Sequence, residues 1–180
     1  MKLRVFESVS IDGYFADRDG GIAWAHAHED PEFRAWVQSN AGGGGTLLFG
    51  RVTYEMMNAF WPTPAAAAQM PEVARGMNAA RKLVASRTIR PTWTGSELIE
   101  GDLVDAVRAL KAKDGPGVTV LGSGSVAAQL GAAGLVDEYQ LVVVPVVLGA
   151  GRTIFTRGAA LRLVEHRAFP CGNVVLTYAI

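Results

Sequence analysis

Apolar and polar residues alternate at the start of the chain and then change to helical spacing. The alternation over residues 2–10 predicts a strand, and the Asp-Gly pairs that follow it predict a loop. Asp30-Pro31 is a typical helix start, and Phe33, Trp36 and Val37 then recur at i, i+3 and i+4. The chain is therefore expected to begin with a strand, a loop and a helix.

Short apolar runs separated by glycines and amphipathic segments continue to the end of the chain. They predict strands over residues 46–49, 81–86, 96–100, 118–121, 139–147, 161–169 and 173–180, and helices over 52–60, 102–114 and 126–133. Early alternation of strand and helix favours parallel pairing, whereas the closely spaced last strands favour antiparallel pairing. We predict an α/β fold in one domain over residues 1–180, with a mixed, mainly parallel central sheet, antiparallel C-terminal strands and flanking helices.

Two segments lack a strong periodic pattern. The glycines at 42–45 precede a strand and predict a flexible connection after the first helix. Residues 62–70 are rich in proline and alanine, which predicts a surface connection, although the alanines also suit a helix.

Composition excludes several classes of protein. The chain has 180 residues, 49% of them hydrophobic, and its formal net charge is zero, so no overall field attracts nucleic acid or a membrane surface. The apolar run 141–148 is far shorter than the roughly 20 residues of a membrane span, and no secretory stretch follows Met1. A single cysteine, Cys171, forms no internal disulfide. We expect a cytoplasmic protein.

Two predicted strands run through glycine directly into helices. Such turns bring backbone N–H groups and the positive end of a helix to the carboxyl edge of a sheet, where phosphate groups bind. A tight turn with close helix packing is the alternative for each, and no acidic ribose ligand follows at Rossmann spacing. The candidates are Gly50, Arg51 and Thr53 in the first turn, and Leu121, Gly122, Ser123, Gly124 and Ser125 in the second.

A third strand ends in Ser86-Arg87-Thr88. Arginine forms bidentate, charge-assisted bonds with phosphate, and the neighbouring hydroxyls would complete a site for a ribose 2′-phosphate. The alternative is an exposed surface arginine.

The order of these motifs resembles the dihydrofolate-reductase-like superfamily, and most closely the C-terminal reductase domain of bacterial riboflavin-biosynthesis deaminase-reductases. The segments that carry the resemblance are Ser10-Ile11-Asp12-Gly13, Phe49-Gly50-Arg51-Val52-Thr53-Tyr54-Glu55, Ser86-Arg87-Thr88, Gly122-Ser123-Gly124-Ser125 and Pro145-Val146-Val147-Leu148-Gly149-Ala150-Gly151-Arg152. The resemblance implies NADPH binding at the two turns and at Ser86–Thr88, hydride transfer and a homodimer. It also implies that the loop from Asp12 to Trp24 covers the nicotinamide, with Ser10, Asp12 and Trp24 near the substrate.

The resemblance leaves the substrate itself unassigned. The riboflavin-pathway reductases typically carry a lysine at the strand position that is Phe6 here, and often a basic residue at Tyr14. Recognition of a sugar phosphate therefore does not transfer to this chain.

Three carboxylates near the predicted substrate loop are candidates for proton transfer: Asp30 first, then Glu32 and Asp12. Each has a structural alternative, because Asp30 suits a helix cap, Glu32 complements the helix dipole and Asp12 suits a turn. His26 and His28 lack a third ligand at suitable spacing, so we expect no metal.

These observations favour an NADPH-dependent reductase acting on a C=N or C=O bond of a small heteroaromatic, pteridine- or pyrimidine-like molecule. A non-catalytic nucleotide-binding module of the same fold is the alternative, and a structural or regulatory domain ranks third. Besides a small-molecule substrate, the expected partner is a second copy of the chain, because a strand as apolar as 141–148 is expected to be covered on both faces and a partner subunit could supply one cover. An internal location of this strand under the earlier helices is the alternative.

Overall fold

The computed structural model describes residues 1–41 and 45–180. The strands are β1 (Leu3–Ser10), β2 (Thr46–Gly50), β3 (Arg81–Ala85), β4 (Ser96–Leu98), β5 (Val118–Leu121), β6 (Glu138–Val144), β7 (Arg162–Ala168) and β8 (Val174–Ala179). The helices are α1 (Pro31–Ala41), α2 (Arg51–Phe60), α3 (Pro64–Gln69), α4 (Pro71–Ala79), α5 (Leu103–Lys111) and α6 (Gly124–Ala132), with a 3₁₀ turn at Ala23–His26. The connection predicted at 42–45 lies, as far as residue 44, outside the described residues.

The strands form one eight-stranded sheet in the order β4-β3-β2-β5-β1-β6-β8-β7. The first six in this order are parallel, whereas β8 pairs antiparallel with both β6 and β7. The predicted mixed sheet with antiparallel C-terminal strands is confirmed. Because the six parallel strands share one direction, the segments that follow Ser10, Gly50, Ala85 and Leu121 all leave from the same edge.

Helices cover both faces of the sheet. On one face, Leu3, Val5 and Val9 of β1 belong to an apolar cluster with Val107 of α5 and Leu130 of α6. On the other face, α1 contributes to a second cluster, which includes Phe33, Val142 and Phe169, and α2 and α4 contribute to a third, which includes Phe49, Tyr54, Met77 and Trp93. The strands β1 and β5 at the centre of the sheet are therefore packed from both sides.

The segment that follows α2 is more helical than its sequence pattern indicated. The predicted connection 62–70 contains α3, which begins at a proline and is capped by the Thr63 side chain. Helix α4 follows at once and was not predicted, although its apolar residues Val73 and Met77 are one turn apart and buried. The sequence pattern missed these two short helices because their prolines look like breaks between elements. Proline is, however, also favoured at the first helical position.

Strand β6 is covered within this one chain. It lies between β1 and β8, and its apolar side chains contribute to clusters on both faces of the sheet. It ends at Val144, before Pro145, and Val147 beyond it is 67% exposed. The cover of β6 is therefore internal, and the homodimer remains a prediction. Among the described residues, no helix is both long and apolar enough to cross a membrane.

Candidate functional site

Two helices begin at the carboxyl edge of the sheet without a side-chain cap. Helix α2 starts directly after β2 at Gly50, and α6 starts after β5 at Ser123. By contrast, the Thr63 hydroxyl caps α3 and the Asp102 carboxylate caps α5. The N–H groups at the first positions of α2 and α6 thus remain available to an anion, whereas the Val126 N–H of α6 donates to the Ser123 carbonyl oxygen.

The two turns contact each other. The N–H of Gly50 donates to Oγ of Ser123 at 2.9 Å, which joins the start of α2 to the start of α6. A Cβ atom on Gly50 would come within 3.2 Å of Val126, and one on Gly122 within 3.2 Å of the Thr53 methyl group. A side chain at either glycine would therefore have to displace an atom of the other turn, and the structure brings Gly50, Thr53, Gly122 and Ser123 together.

The second turn has an unusual backbone conformation. Gly122 and Ser123 both have positive φ, at 57° and 61°, and Ser123 is the only non-glycine residue of the described chain with φ in this range. The left-handed region is unfavourable for a residue with a Cβ atom. At the next position, Gly124 is buried and a Cβ atom would overlap the ring of Phe15. The loop after β1 thus packs on the start of α6.

Ser86-Arg87-Thr88 follows β3, the neighbour of β2. Ser86 Oγ accepts a hydrogen bond from the Thr88 N–H at 3.2 Å, which closes a small turn around Arg87. Arg87 is exposed, and it pairs with no carboxylate of the described residues. The guanidinium of Arg51, in contrast, pairs with Glu55 at 2.8 Å along α2. Of these two arginines, Arg87 is the one that remains free for an anion.

Asp12 holds two distant motifs together. Its carboxylate oxygens accept hydrogen bonds from the N–H groups of Leu148 at 3.1 Å and Gly149 at 2.7 Å. The Ser10 hydroxyl contributes most to lowering the pKa of Asp12; partial burial opposes this, and the Leu148 and Gly149 N–H groups add to it. Asp12 is therefore an ionised anchor for the loop after β6, a role that the sequence did not reveal.

The loop from Asp12 to Trp24 is fastened at several points. The N–H of Phe15 donates to the carbonyl oxygen of Arg152, whose own N–H donates to that of Ala16. The Trp24 side chain packs against the cluster that contains Phe33, and its buried indole N–H has no partner among the described residues. Ser10 is buried, and its Oγ accepts from the N–H of Tyr14 at 3.0 Å.

Asp30 and Glu32 connect α1 to the β7–β8 hairpin. Asp30 accepts from the N–H groups of Glu32 and Phe33 with one oxygen and from that of Cys171, at 2.7 Å, with the other. These bonds, that of Phe33 foremost, lower the pKa of Asp30 although partial burial opposes this. Glu32 pairs with Arg167 at 2.9 Å. Both residues hold α1 in place, which was the structural alternative.

An aromatic cluster lies between α1 and the sheet. The ring centroid of Trp36 lies 6.1 Å from that of Phe6, 5.9 Å from that of Phe33 and 5.8 Å from that of Phe169, and Phe33 and Phe169 are 5.2 Å apart. Phe6 stands beside Leu121 in the register of β1 and β5, immediately before the second turn. The side of the site that adjoins this turn is therefore apolar and aromatic.

A separate groove, which we call the edge groove, lies at the β4 end of the sheet. It has a volume of about 880 Å³ and is lined by β3, β4 and α5, with Arg81, Leu98, Leu110 and Lys113 among its residues. It shares no residue with the two glycine turns or with Ser86–Thr88. No group of three or more metal-ligating side chains occurs among residues 1–41 and 45–180.

The strand order and the two glycine turns define an α/β protein with a mixed, mainly parallel sheet and antiparallel C-terminal strands. Residues 1–175 match the RibD C-terminal domain family, and the chain belongs to this family. It is 26% identical over 174 residues to the uncharacterized protein YyaP of Bacillus subtilis (strain 168), a match that covers 95% of this chain and 90% of that relative. The predicted resemblance to the riboflavin-pathway reductase domain is confirmed.

Two solved structures share the fold. A protein of Shewanella sp. PV-4, whose name refers to riboflavin biosynthesis, superimposes with a TM-score of 0.74 at 24% identity and covers 99% of this chain and 98% of its own. A pyrimidine reductase-like protein of Corynebacterium diphtheriae superimposes with a TM-score of 0.61 at 14% identity, covering 99% and 91%. At these identities the two structures support the fold alone.

Proposed function

We propose that the protein is an NADPH-dependent reductase that transfers a hydride to a C=N or C=O bond of a small heteroaromatic, pteridine- or pyrimidine-like substrate. The proposal rests on one observation: the hydrogen bond from the Gly50 N–H to Ser123 Oγ joins the starts of two helices that have no side-chain cap. Two such starts side by side suit the two phosphates of a dinucleotide. Membership of the RibD C-terminal domain family supports the same reaction class.

The residues present fit the cofactor. The free N–H groups in the first turns of α2 and α6, with the hydroxyls of Thr53, Ser123 and Ser125, would hold the pyrophosphate. Gly50 and Gly122 would let it approach the backbone, because their own N–H groups donate to Ser123 Oγ and to the Phe6 carbonyl oxygen. Arg87, with Ser86 and Thr88, would hold the ribose 2′-phosphate, because its guanidinium is exposed and unpaired among the described residues. When bound there, NADPH supplies the hydride.

The proton must reach the heteroatom by a separate route. Asp12 and Asp30 have lowered pKa values and accept backbone N–H groups with both oxygens, so at neutral pH both are ionised and have no proton to donate. We propose that Asp30, with Glu32 and Asp12 as the further candidates, orients the substrate or a water molecule that delivers the proton.

The aromatic side of the site favours a planar, uncharged substrate ring. Phe6 and Trp36 have ring centroids 6.1 Å apart, and both side chains are only partly buried. Trp24, with its unpartnered indole N–H, contacts the same cluster. Aromatic faces stack on planar rings, and Trp24 offers a hydrogen-bond donor to a ring carbonyl or nitrogen once the loop admits the substrate.

Titration with NADPH and NADH, followed by nicotinamide fluorescence, tests the cofactor assignment. A charged hydrogen bond contributes roughly 1.5–3 kcal/mol, so Arg87→Ala should weaken NADPH binding about 10- to 150-fold and leave NADH nearly unchanged. Arg162→Ala, an exposed arginine on β7 at the far end of the sheet, is the matched control and should alter neither affinity. Equal losses for both cofactors in Arg87→Ala would contradict the 2′-phosphate assignment.

A nucleotide-binding module without catalysis is the second candidate. It is favoured by the structural use of Asp12, Asp30 and Glu32, because all three carboxylates already have partners. Oxidation of NADPH that depends on an added pteridine or pyrimidine distinguishes the enzyme from the module.

We also propose a homodimer, on grounds different from those given by the sequence. Every residue of the edge strand β7 is exposed, including Leu163 at 47% and Val164 at 51%. An unpaired edge with apolar side chains is open to a second copy of the chain. A mass near that of one chain by light scattering at micromolar concentration would contradict the dimer.

A further inference from the structure

The segment that carries Arg87 is held at its far end. Residues 86–95 join β3 to β4, and Ser86–Thr88 open the segment next to the sheet. Near the other end, Trp93 is only 5% exposed and packs with Phe49 and Tyr54. The position of Arg87 therefore depends on the contacts that fix the segment at both ends.

Tyr54 makes the most direct of these contacts. This residue of α2 is 2% exposed, and its phenol oxygen accepts hydrogen bonds from the N–H groups of Thr92 at 2.9 Å and Trp93 at 2.8 Å. The two lone pairs of one oxygen thus satisfy two consecutive backbone donors. Tyr54 lies four residues after Gly50, so a single side chain joins the helix of the first turn to the segment that carries Arg87.

Buried contacts fix the rest of this end. Lys82 of β3 is fully buried, and its ammonium donates to the carbonyl oxygens of Asn78, Ala80 and Thr94 and lies 4.4 Å from the centroid of the Trp93 ring. The Trp93 indole N–H donates to Oδ1 of Asn78 at 2.7 Å. Residues 92–94 are therefore bonded to α2, β3 and α4, whereas Arg87 is exposed.

We propose that Tyr54 is a positioning residue for cofactor selectivity: its two hydrogen bonds to Thr92 and Trp93 set the position of the segment that presents Arg87 to the ribose 2′-phosphate. This inference rests on the proposed function. Without the phenol oxygen, this end of the segment keeps its bonds to β3 and α4 but loses those to α2, so that Arg87 loses its fixed distance from the helix start of α2. A purely structural role for Tyr54 would lower stability without changing the ratio of NADPH to NADH affinity.

Tyr54→Phe is the direct test, because it keeps the ring and removes only the hydroxyl. We expect NADPH affinity to fall about two- to tenfold, the range of one to two ordinary hydrogen bonds, and NADH affinity to change less than twofold. Tyr139→Phe removes the hydroxyl of another buried tyrosine, on β6, and should leave the ratio of affinities unchanged. Equal losses of both cofactors in Tyr54→Phe would overturn the proposal.

A double-mutant cycle with Arg87→Ala adds an independent criterion. If Tyr54 acts through Arg87, Tyr54→Phe should cost no further NADPH affinity once Arg87 is alanine. The same loss in both backgrounds would overturn the inference while leaving the proposed function intact. Failure of the wild type to bind NADPH, or an Arg87→Ala variant with unchanged NADPH affinity, would overturn the cofactor assignment and the inference with it.

A second variant covers the case in which Tyr54→Phe does not fold. Trp93→Phe keeps a ring against Phe49 and Tyr54 but removes the N–H that donates to Asn78. It should also lower NADPH affinity selectively, and a loss shared equally by NADH would overturn the proposal.

Discussion

At the scale of single residues, Glu7 is the least expected feature. It lies on β1 between Val5 and Val9, on the face that packs against α6, and it is 8% exposed. One oxygen accepts from the Ser8 N–H at 3.3 Å, and the other has no partner among the described residues. Burial raises the pKa of Glu7 to about 8, against a smaller opposite effect of that hydrogen bond. The folded protein therefore holds Glu7 protonated at neutral pH.

This shift makes stability depend on pH in a defined direction. The unfolded chain releases the Glu7 proton near pH 4.5, and the folded protein only near pH 8, so the stability that the protonated form provides is complete below pH 4.5 and is lost as pH rises to 8. Glu7→Gln should gain roughly 4 kcal/mol relative to the wild type between these pH values, measured by urea unfolding. The exposed Glu165→Gln should show no such trend, and a flat difference for Glu7→Gln would contradict the burial argument.

Sequence predicted the residues of the two turns better than it predicted the carboxylates. Gly50, Gly122 and Ser123 were identified because a glycine between a strand and a helix has a local signature. The bond between Asp12 and Gly149 crosses 137 positions of sequence and has no such signature. The sequence did not predict the burial of Glu7, because a polar residue in an alternating strand usually indicates the exposed face of the strand.

At the scale of elements, the contact between the α2 and α6 turns defines the site. Ser123 contributes an oxygen to Gly50 N–H and also occupies a left-handed conformation that disfavours a side chain. These two properties have opposite consequences when the residue is replaced. Ser123→Gly removes both the hydroxyl and the strain, whereas Ser123→Ala removes the hydroxyl and keeps the strain.

We expect both Ser123 variants to lose NADPH affinity about equally, because both lose the bond that joins the turns. The glycine variant should be more stable than the alanine variant by roughly 1 kcal/mol, since only the alanine retains the strained φ. Thermal unfolding and cofactor titration measure the two quantities separately. An alanine variant that binds NADPH like the wild type would show that the turns do not depend on this bond.

Most strands and the helices after glycine were predictable at this scale, because their apolar runs are bounded by clear breakers. Helices α3 and α4 were not, since Pro64 and Pro71 look like interruptions although each occupies a helix start. The order of the strands in the sheet also could not be predicted from the local pattern of apolar and polar residues. It depends on long crossovers, such as the one that separates β2 from its neighbour β5 in the chain and pairs Leu48 with Val120.

At the scale of the whole molecule, the sheet gathers three distant segments at one edge. The β2–α2 turn, the β5–α6 turn and Ser86–Thr88 follow three strands that are adjacent in the order β3-β2-β5. The central claim is that these three segments form one cofactor site. The edge groove near Arg81 and Lys113 is the competing location for a ligand on the same sheet.

Titration of the isotope-labelled protein with NADPH, followed by amide chemical shifts, tests this claim most directly. The account predicts that the amides of residues 50–53, 86–88 and 122–125 shift together with one dissociation constant, while those lining the edge groove stay unchanged. With NADH, the shifts at 86–88 should be much smaller than those at the two turns, because the 2′-phosphate is missing. Shifts confined to the edge groove, or different dissociation constants for the three segments, would contradict a single dinucleotide site.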